Sequence, residues 1–153
     1  MSRVSPEAEL EGFLAKFLPE IAGRARAVIA GLRARLPGAT VIVYDNYNAL
    51  AVGFGSTGKP GGVALSVAVY PRWVSLFLSG GPFLDDPHGL LKGEGGTVRH
   101  IVLASAADIH DPRITALIDQ AVLRNEPPVP DAPRGVLIIK SVSAKQRPRR
   151  PDR

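Results

Sequence analysis

The most constraining feature of this sequence is a pair of aliphatic segments that flank the dipeptide Pro71-Arg72. The segment before it reads GVALSVAVY (62–70) and the segment after it reads WVSLFLSG (73–80). Large aliphatic residues alternate with small or aromatic ones in both, which is the period-two pattern of a half-buried strand. A turn at Pro71-Arg72 therefore predicts a hairpin that aligns the aliphatic residues on one face, and a one-residue slip would destroy that agreement. The expected facing pairs are Val69 with Val74, Val67 with Leu76 and Leu65 with Leu78.

Further strand patterns surround this hairpin and predict an α+β fold. They are TVIVYD (40–45), NALAVGFG (48–55), TVRHIVL (97–103) and GVLIIKSV (135–142). A tight turn at Asn46-Tyr47 would place Val43 opposite Leu50. We expect an antiparallel β-meander of five or six strands, with the N-terminal and C-terminal helices packed on one face.

Prolines and capping residues predict where the helices begin and end. Ser5-Pro6-Glu7 is typical of a helix start, with Ser5 as the N-cap and proline at the first helical position. Apolar residues spaced by three or four continue as far as Leu36, but Pro19 must kink or split this stretch because it lacks an N–H group. Asp111-Pro112 predicts the start of a last helix.

The positive charge of the chain is concentrated at its C-terminus. The segment KSVSAKQRPRRPDR (140–153) accounts for the whole net charge of +5. We predict a single α+β domain over residues 1–139 and a basic, disordered tail over residues 140–153. The tail could bind nucleic acid weakly and without specificity through Arg147, Arg149 and Arg150, or it could be a solvated terminus.

The composition excludes several classes of function. Without cysteine, the chain has no disulfide, no thiolate nucleophile and no Cys-ligated zinc. No apolar run approaches the ~18 residues of a membrane span, and MSRVSPEAELEG at the N-terminus lacks the apolar region of a signal peptide. We therefore expect a cytoplasmic protein without membrane contact, either a monomer or a homodimer. No Ser-His-Asp arrangement marks a nucleophile, so no catalytic residue is predicted.

The second face of the predicted sheet combines small and aromatic side chains. The small ones are Ala49, Ala51, Gly53, Ser66, Ala68 and Ser75, and the aromatic ones are Tyr44, Tyr70, Trp73 and Phe77. This mixture could form a shallow, partly apolar concavity, or another element could pack over it. The leading interpretation is a non-enzymatic module that binds a small ligand or a partner through these aromatic residues together with Arg99 and His100.

Arg99 and His100 end the unusual connection GPFLDDPHGLLKGEGGTVRHI (81–101). Adjacent residues on a strand point to opposite faces, so one of the two must turn toward a covered face and needs a polar partner. The pair could belong to a binding site. Alternatively, it could hold the 81–96 loop in place by a hydrogen bond or an ion pair.

Histidines and aspartates near this connection are weak candidates for a divalent metal site. The candidates are His88, Asp86 and His110, because imidazole and carboxylate suit transition metals. Their spacing fits no zinc signature. Simpler roles are a turn at Asp85-Asp86-Pro87 and a helix N-cap at Asp111.

The segment GFGSTGK (53–59) matches the first positions of a phosphate-binding loop. That loop needs a Ser or Thr next and a helix behind it to receive the phosphates. Here position 60 is proline and the following segment is strand-like. A flexible hairpin loop is therefore the favoured interpretation.

Several of these segments together resemble the YdhG-like family of small bacterial domains, whose function is unknown. The resemblance covers residues 39–122 and is carried by VYDNYNALAVGFG, YPRWVSLFLSGG, LDDPHGLLKGEGGTVRHI and SAADI. It implies helices packed on an antiparallel sheet, similar to frataxin, and for some members iron binding. That role depends on an acidic first helix and first strand. In this chain the first helical stretch has four glutamates but also Lys16 and four arginines, and only Asp45 is acidic in the first two strands. No metal ligand is therefore carried over from the family, no cofactor is predicted, and iron is possible by resemblance alone.

Overall fold

A computed structural model describes residues 4–151, which form three α-helices and six strands. The helices are α1 (Pro6–Leu14), α2 (Pro19–Arg35) and α3 (Pro112–Arg124). The strands are β1 (Thr40–Asp45), β2 (Leu50–Gly55), β3 (Val63–Val69), β4 (Val74–Ser79), β5 (Val98–Leu103) and β6 (Leu137–Val142). No helix within the described residues is long and apolar enough to cross a membrane.

All six strands belong to one sheet in the order β5-β4-β3-β2-β1-β6. The α+β class is confirmed, and β1 to β5 form the predicted antiparallel meander. The expectation of a wholly antiparallel sheet is wrong for β6, which pairs in parallel with β1 and places Leu137 opposite Val41. No local turn joins β6 to its neighbour, since α3 and a long connection precede it, and such a crossover permits parallel pairing.

The two hairpins test the predicted strand registers. Val69 faces Val74 across β3 and β4, as the sequence predicts. In the first hairpin, Val43 faces Val52 and not Leu50, because residues 46–49 form a four-residue loop closed by a 3.0 Å hydrogen bond from the Asn46 amide to the Ala49 carbonyl. The difference is two residues, so every side chain keeps its predicted face.

The helix boundaries agree with the proline and capping signals. The Ser5 hydroxyl accepts a hydrogen bond from the amide of Ala8 at 3.1 Å, and Pro19 is the first residue of α2, so the long apolar stretch is split there. Asp111 caps α3 by accepting from the Arg113 amide at 2.9 Å. All three helices contribute to one core with the large aliphatic side chains of the sheet. Its largest fully buried members include Phe17, Phe54, Leu32, Leu76 and Leu117.

The C-terminal segment differs from its prediction as a detached, disordered tail. Strand β6 extends to Val142, beyond the expected boundary at residue 139, and residues 143–151 cross the end of the sheet. The amide of Arg147 donates to the Tyr47 carbonyl at 2.9 Å, and Arg149 is buried. The reason is a buried partner, because Arg149 pairs with Asp45 at the end of β1. Residues 152 and 153 lie outside the described part of the chain.

Candidate functional site

The helices and the core lie on one face of the sheet, and we call the opposite face the open face. Its centre is built from small side chains that face one another across neighbouring strands: Ala51 opposite Ala68, and Ala68 opposite Ser75. The next row places Gly53 opposite Ser66, and Ser66 opposite Phe77. Small residues in the middle and larger ones at the margin leave a shallow depression on this face.

A groove of about 550 Å³ occupies the open face. Ala51, Ser66 and Ala68 form its floor, while the aromatic rings of Tyr70 and Phe77 border it. The β1–β2 loop (46–49) and Ser143 complete the lining and contribute amide and hydroxyl groups. The groove therefore combines apolar surface with several neutral hydrogen-bonding groups.

A second cavity of about 660 Å³ lies between the β3–β4 turn and the C-terminal segment, and we call it the basic cleft. The rings of Tyr70 and Trp73 stack across the turn with centroids 4.7 Å apart, and the Trp73 side chain is 41% exposed. Burial raises the pKa of the Tyr70 hydroxyl above its ordinary value. The remaining lining includes Arg72, Arg147 and Arg150, and among the described residues 4–151 no acid lines the cleft.

One wall of the basic cleft is held by a buried ion pair. The Arg149 guanidinium donates to the Asp45 carboxylate at 2.9 Å, and Lys16 lies 3.8 Å from the other carboxylate oxygen. Arg149 also lies over the ring of Phe17, 5.8 Å from its centroid. Its neighbour Arg150 donates to the Lys16 carbonyl at 3.1 Å. These contacts fix residues 147–151 beside the β1–β2 loop.

The six predicted binding residues divide between the two faces of the sheet. Tyr70, Trp73, Phe77 and His100 share the open face, and the ring of His100 lies against Phe77 with centroids 5.2 Å apart. Tyr44 shares this face but lines neither cavity, and its buried hydroxyl has no hydrogen-bond partner among residues 4–151.

Arg99 lies on the helix side, opposite Leu78, and its Nε donates to the Gly95 carbonyl at 2.9 Å. This contact corresponds to the alternative role, in which Arg99 holds the 81–96 loop. His100 contributes to the same connection through its backbone, which exchanges two hydrogen bonds with Lys92.

The structure does not bring the candidate metal ligands together. Asp86 uses both carboxylate oxygens to accept from the amides of Leu90 and Leu91, at 3.0 and 2.9 Å, so it stabilises its own turn. His88 lines a small cavity beside the start of α3, and His110 ends a separate short helical turn. Within residues 4–151, no three His, Asp or Glu side chains form a group that could hold a metal ion.

The loop that resembles a phosphate-binding motif joins β2 to β3 and is closed by side-chain contacts. It is followed by a short 3-10 turn, Pro60–Gly62, and then by β3 instead of a helix. The buried Asn125 amide donates to the Gly62 carbonyl at 2.9 Å and to the Ser56 hydroxyl at 3.3 Å. The loop interior is therefore filled by Asn125, as expected for a hairpin loop.

The arginines that were predicted to contact nucleic acid differ in exposure. Arg147 and Arg150 are exposed, whereas Arg149 is buried in its pair with Asp45 and is unavailable to phosphates. Sequence reasoning missed this role of Asp45 and Arg149. The only available signal was an acid at the end of a strand without any other charged residue, which is an unusual position for an unpaired charge.

No protein-family model matches the chain, and no curated protein or solved structure matches it either. The resemblance to the YdhG-like family therefore stays a prediction. The function has to be argued from the open face and the basic cleft.

Proposed function

We propose that this protein is a non-enzymatic module that binds a small, flat and largely apolar ligand in the groove of the open face. The observation that carries the proposal is the floor of small side chains, Ala51, Ser66 and Ala68, bordered by the rings of Tyr70 and Phe77. A ligand on such a floor could approach the sheet closely and lie against the aromatic edges.

The size and chemistry of the groove support a small-molecule site. Its volume of about 550 Å³ falls within the range of ~300–1,000 Å³ that is usual for ligand pockets, and such pockets combine apolar walls with a few polar groups. Here the polar groups include the side chains of Asn46, Asn48 and Ser143. They can orient a ligand by hydrogen bonds, and they offer no nucleophile paired with a base.

Groove filling tests the proposal directly. The probe is N-phenyl-1-naphthylamine, a neutral dye that fluoresces in apolar surroundings. Ala51→Phe adds a ring to the groove floor and should weaken dye binding at least about tenfold, which corresponds to ~1.4 kcal/mol. Val102→Phe is the matched control, because Val102 is exposed on the same face but does not line the groove.

The two variants separate the possible outcomes. Dye binding that Ala51→Phe weakens and Val102→Phe leaves unchanged supports the groove as the site. Absence of dye binding to the folded wild type, or equal binding by all three proteins, would overturn it. Circular dichroism should show that both variants keep the wild-type fold.

A further inference from the structure

We infer that the groove continues into an anion subsite in the basic cleft, so that the ligand is an apolar ring system carrying a carboxylate, sulfonate or phosphate group. This inference rests on the proposed function and adds the chemical class of the ligand. Asn48 and Tyr70 line both cavities, so the two spaces adjoin at these residues. One molecule could therefore place its rings in the groove and its charged group in the cleft.

The charge of the cleft favours an anion. Arg147 and Arg150 line it, and none of its lining residues within 4–151 is acidic. The side chain of Arg147 is exposed, and it makes no ion pair or hydrogen bond with another residue of the described chain. A guanidinium has five N–H donors in a planar arrangement that matches the oxygens of a carboxylate or phosphate. Arg147 is therefore placed to receive such a group.

Arg150 is oriented without being neutralised. Its Nε donates to the Lys16 carbonyl at 3.1 Å, and one terminal nitrogen lies 3.5 Å from the Ala15 carbonyl. Both acceptors belong to the residues that follow α1, and a carbonyl carries no net charge. Arg150 thus keeps its positive charge and still has unused N–H donors.

Among residues 4–151, the acid that contacts this segment is already paired. Asp45 pairs with Arg149 at 2.9 Å and lies 3.8 Å from Lys16, and it is buried and does not line the cleft. Its charge is therefore balanced by these two residues and does not offset Arg147 and Arg150. The same buried pair holds the segment that presents these two arginines.

The cleft has aromatic and proline-rich walls, which distinguish it from a flat patch of exposed charge. The stacked rings of Tyr70 and Trp73 form one side, and an apolar wall lowers the local polarity and strengthens an ionic contact. Pro71, Pro148 and Pro151 restrict the backbone on both sides because each ring fixes φ. Flat arginine side chains can also stack against aromatic ligands.

Two dyes with almost the same ring system test the inference. 1-Anilinonaphthalene-8-sulfonate carries a sulfonate, whereas N-phenyl-1-naphthylamine is neutral. The wild type should bind the sulfonate dye at least about tenfold more tightly. Arg147→Gln combined with Arg150→Gln should remove this preference and leave the affinity for the neutral dye unchanged.

A matched control removes the same charge from the same segment. Lys140→Gln combined with Lys145→Gln also lowers the net charge by two, and both lysines are exposed and lie outside the cleft lining. This control should keep the preference for the sulfonate dye. Arg147→Gln alone should also reduce the preference for the sulfonate dye. This single variant should fold even if the double variant does not, because the Arg147 side chain makes no hydrogen bond within the described chain. Near-ultraviolet circular dichroism checks that every variant keeps its tertiary packing.

The outcomes distinguish the two proposals. Equal affinity of the wild type for both dyes would overturn the anion subsite and leave the groove in place, whereas failure of both dyes would overturn the proposed function as well. If the lysine control loses as much of the preference as the double arginine variant, then only the overall charge of the protein attracts the sulfonate. That result would contradict the proposed anion subsite. A single-stranded oligonucleotide that displaces the sulfonate dye more strongly than naphthalene-1-sulfonate would assign the cleft to nucleic acid instead.

Discussion

The guanidinium of Arg149 donates a 2.9 Å hydrogen bond to the carboxylate of Asp45, which lies 104 positions earlier in the chain. Both side chains are buried, with 4% and 1% of their surfaces exposed. The contact ties the C-terminal segment to the end of β1 and so places one wall of the basic cleft. A buried ion pair is costly to form, but removing one partner leaves an uncompensated charge in the interior.

We therefore expect Arg149→Met to lower the free energy of unfolding by ~3–5 kcal/mol, because Asp45 would lose its hydrogen-bonded partner. Urea denaturation measures this change. The double variant Asp45→Asn with Arg149→Met should recover part of the loss, since it removes both charges. Arg147→Met is the control, because Arg147 is exposed in the same segment. A stability of Arg149→Met equal to that of the control would show that the pair does not hold the segment.

The parts of the fold that the sequence predicts well are those that local signals determine. The β3–β4 register follows from the Pro71-Arg72 turn and from alternation on both sides of it, and neither depends on distant residues. The split at Pro19 follows from the missing N–H in the same way. The β1–β2 register was two residues off because the Asn46–Ala49 loop closes through its own backbone, which residue types alone do not specify.

The C-terminal segment shows why the rest could not be predicted. Its composition, rich in arginine and proline, is typical of disorder, and its fixed position depends on contacts with residues far away in the chain, including the buried pair of Arg149 with Asp45. The parallel pairing of β6 with β1 likewise joins two segments that are far apart in the chain, and no turn between them specifies its direction. The aromatic and small residues of the open face were predicted from alternation, whereas the basic cleft beside them requires the fixed segment.

Tyr44 offers a test of an unsatisfied polar group. Its hydroxyl is buried and has no hydrogen-bond partner within residues 4–151. A buried group of this kind costs about 1–3 kcal/mol, so Tyr44→Phe should raise the free energy of unfolding by ~1 kcal/mol. Tyr47→Phe, at an exposed ring, should change it little. A clear loss of stability in Tyr44→Phe would instead mean that the hydroxyl has a partner in solution.

Asn125 should be a stabilising residue of the β2–β3 loop. Its buried amide donates to the carbonyls of Gly62 and Pro127, at 2.9 and 3.1 Å, and to the hydroxyl of Ser56. Asn125→Ala should cost ~1–3 kcal/mol, because these acceptors lose a donor away from water. Thermal and urea denaturation measure the loss. Asn48→Ala, at an exposed asparagine, is the control, and equal stabilities would contradict this role.

Asp111 should make the stability of the protein depend on pH in the acid range. Its carboxylate accepts from the side chain and the amide of Arg113, and these bonds lower its pKa to about 2. Since the folded pKa lies below the ordinary value of about 3.9, the contribution is complete above pH 4 and is lost as the pH falls toward 2. Asp111→Asn retains an oxygen for the N-cap but cannot ionise.

The melting temperature of Asp111→Asn should therefore lie below that of the wild type at pH 7, and the difference should shrink between pH 4 and pH 2. Asp131→Asn is the matched control, because Asp131 is exposed and makes no ion pair with a described residue. That variant should follow the wild type across the whole range. The difference in melting temperature between Asp111→Asn and the wild type could instead stay constant from pH 7 to pH 2. The cap would then act without its charge, and the contact with Arg113 would contribute no pH dependence.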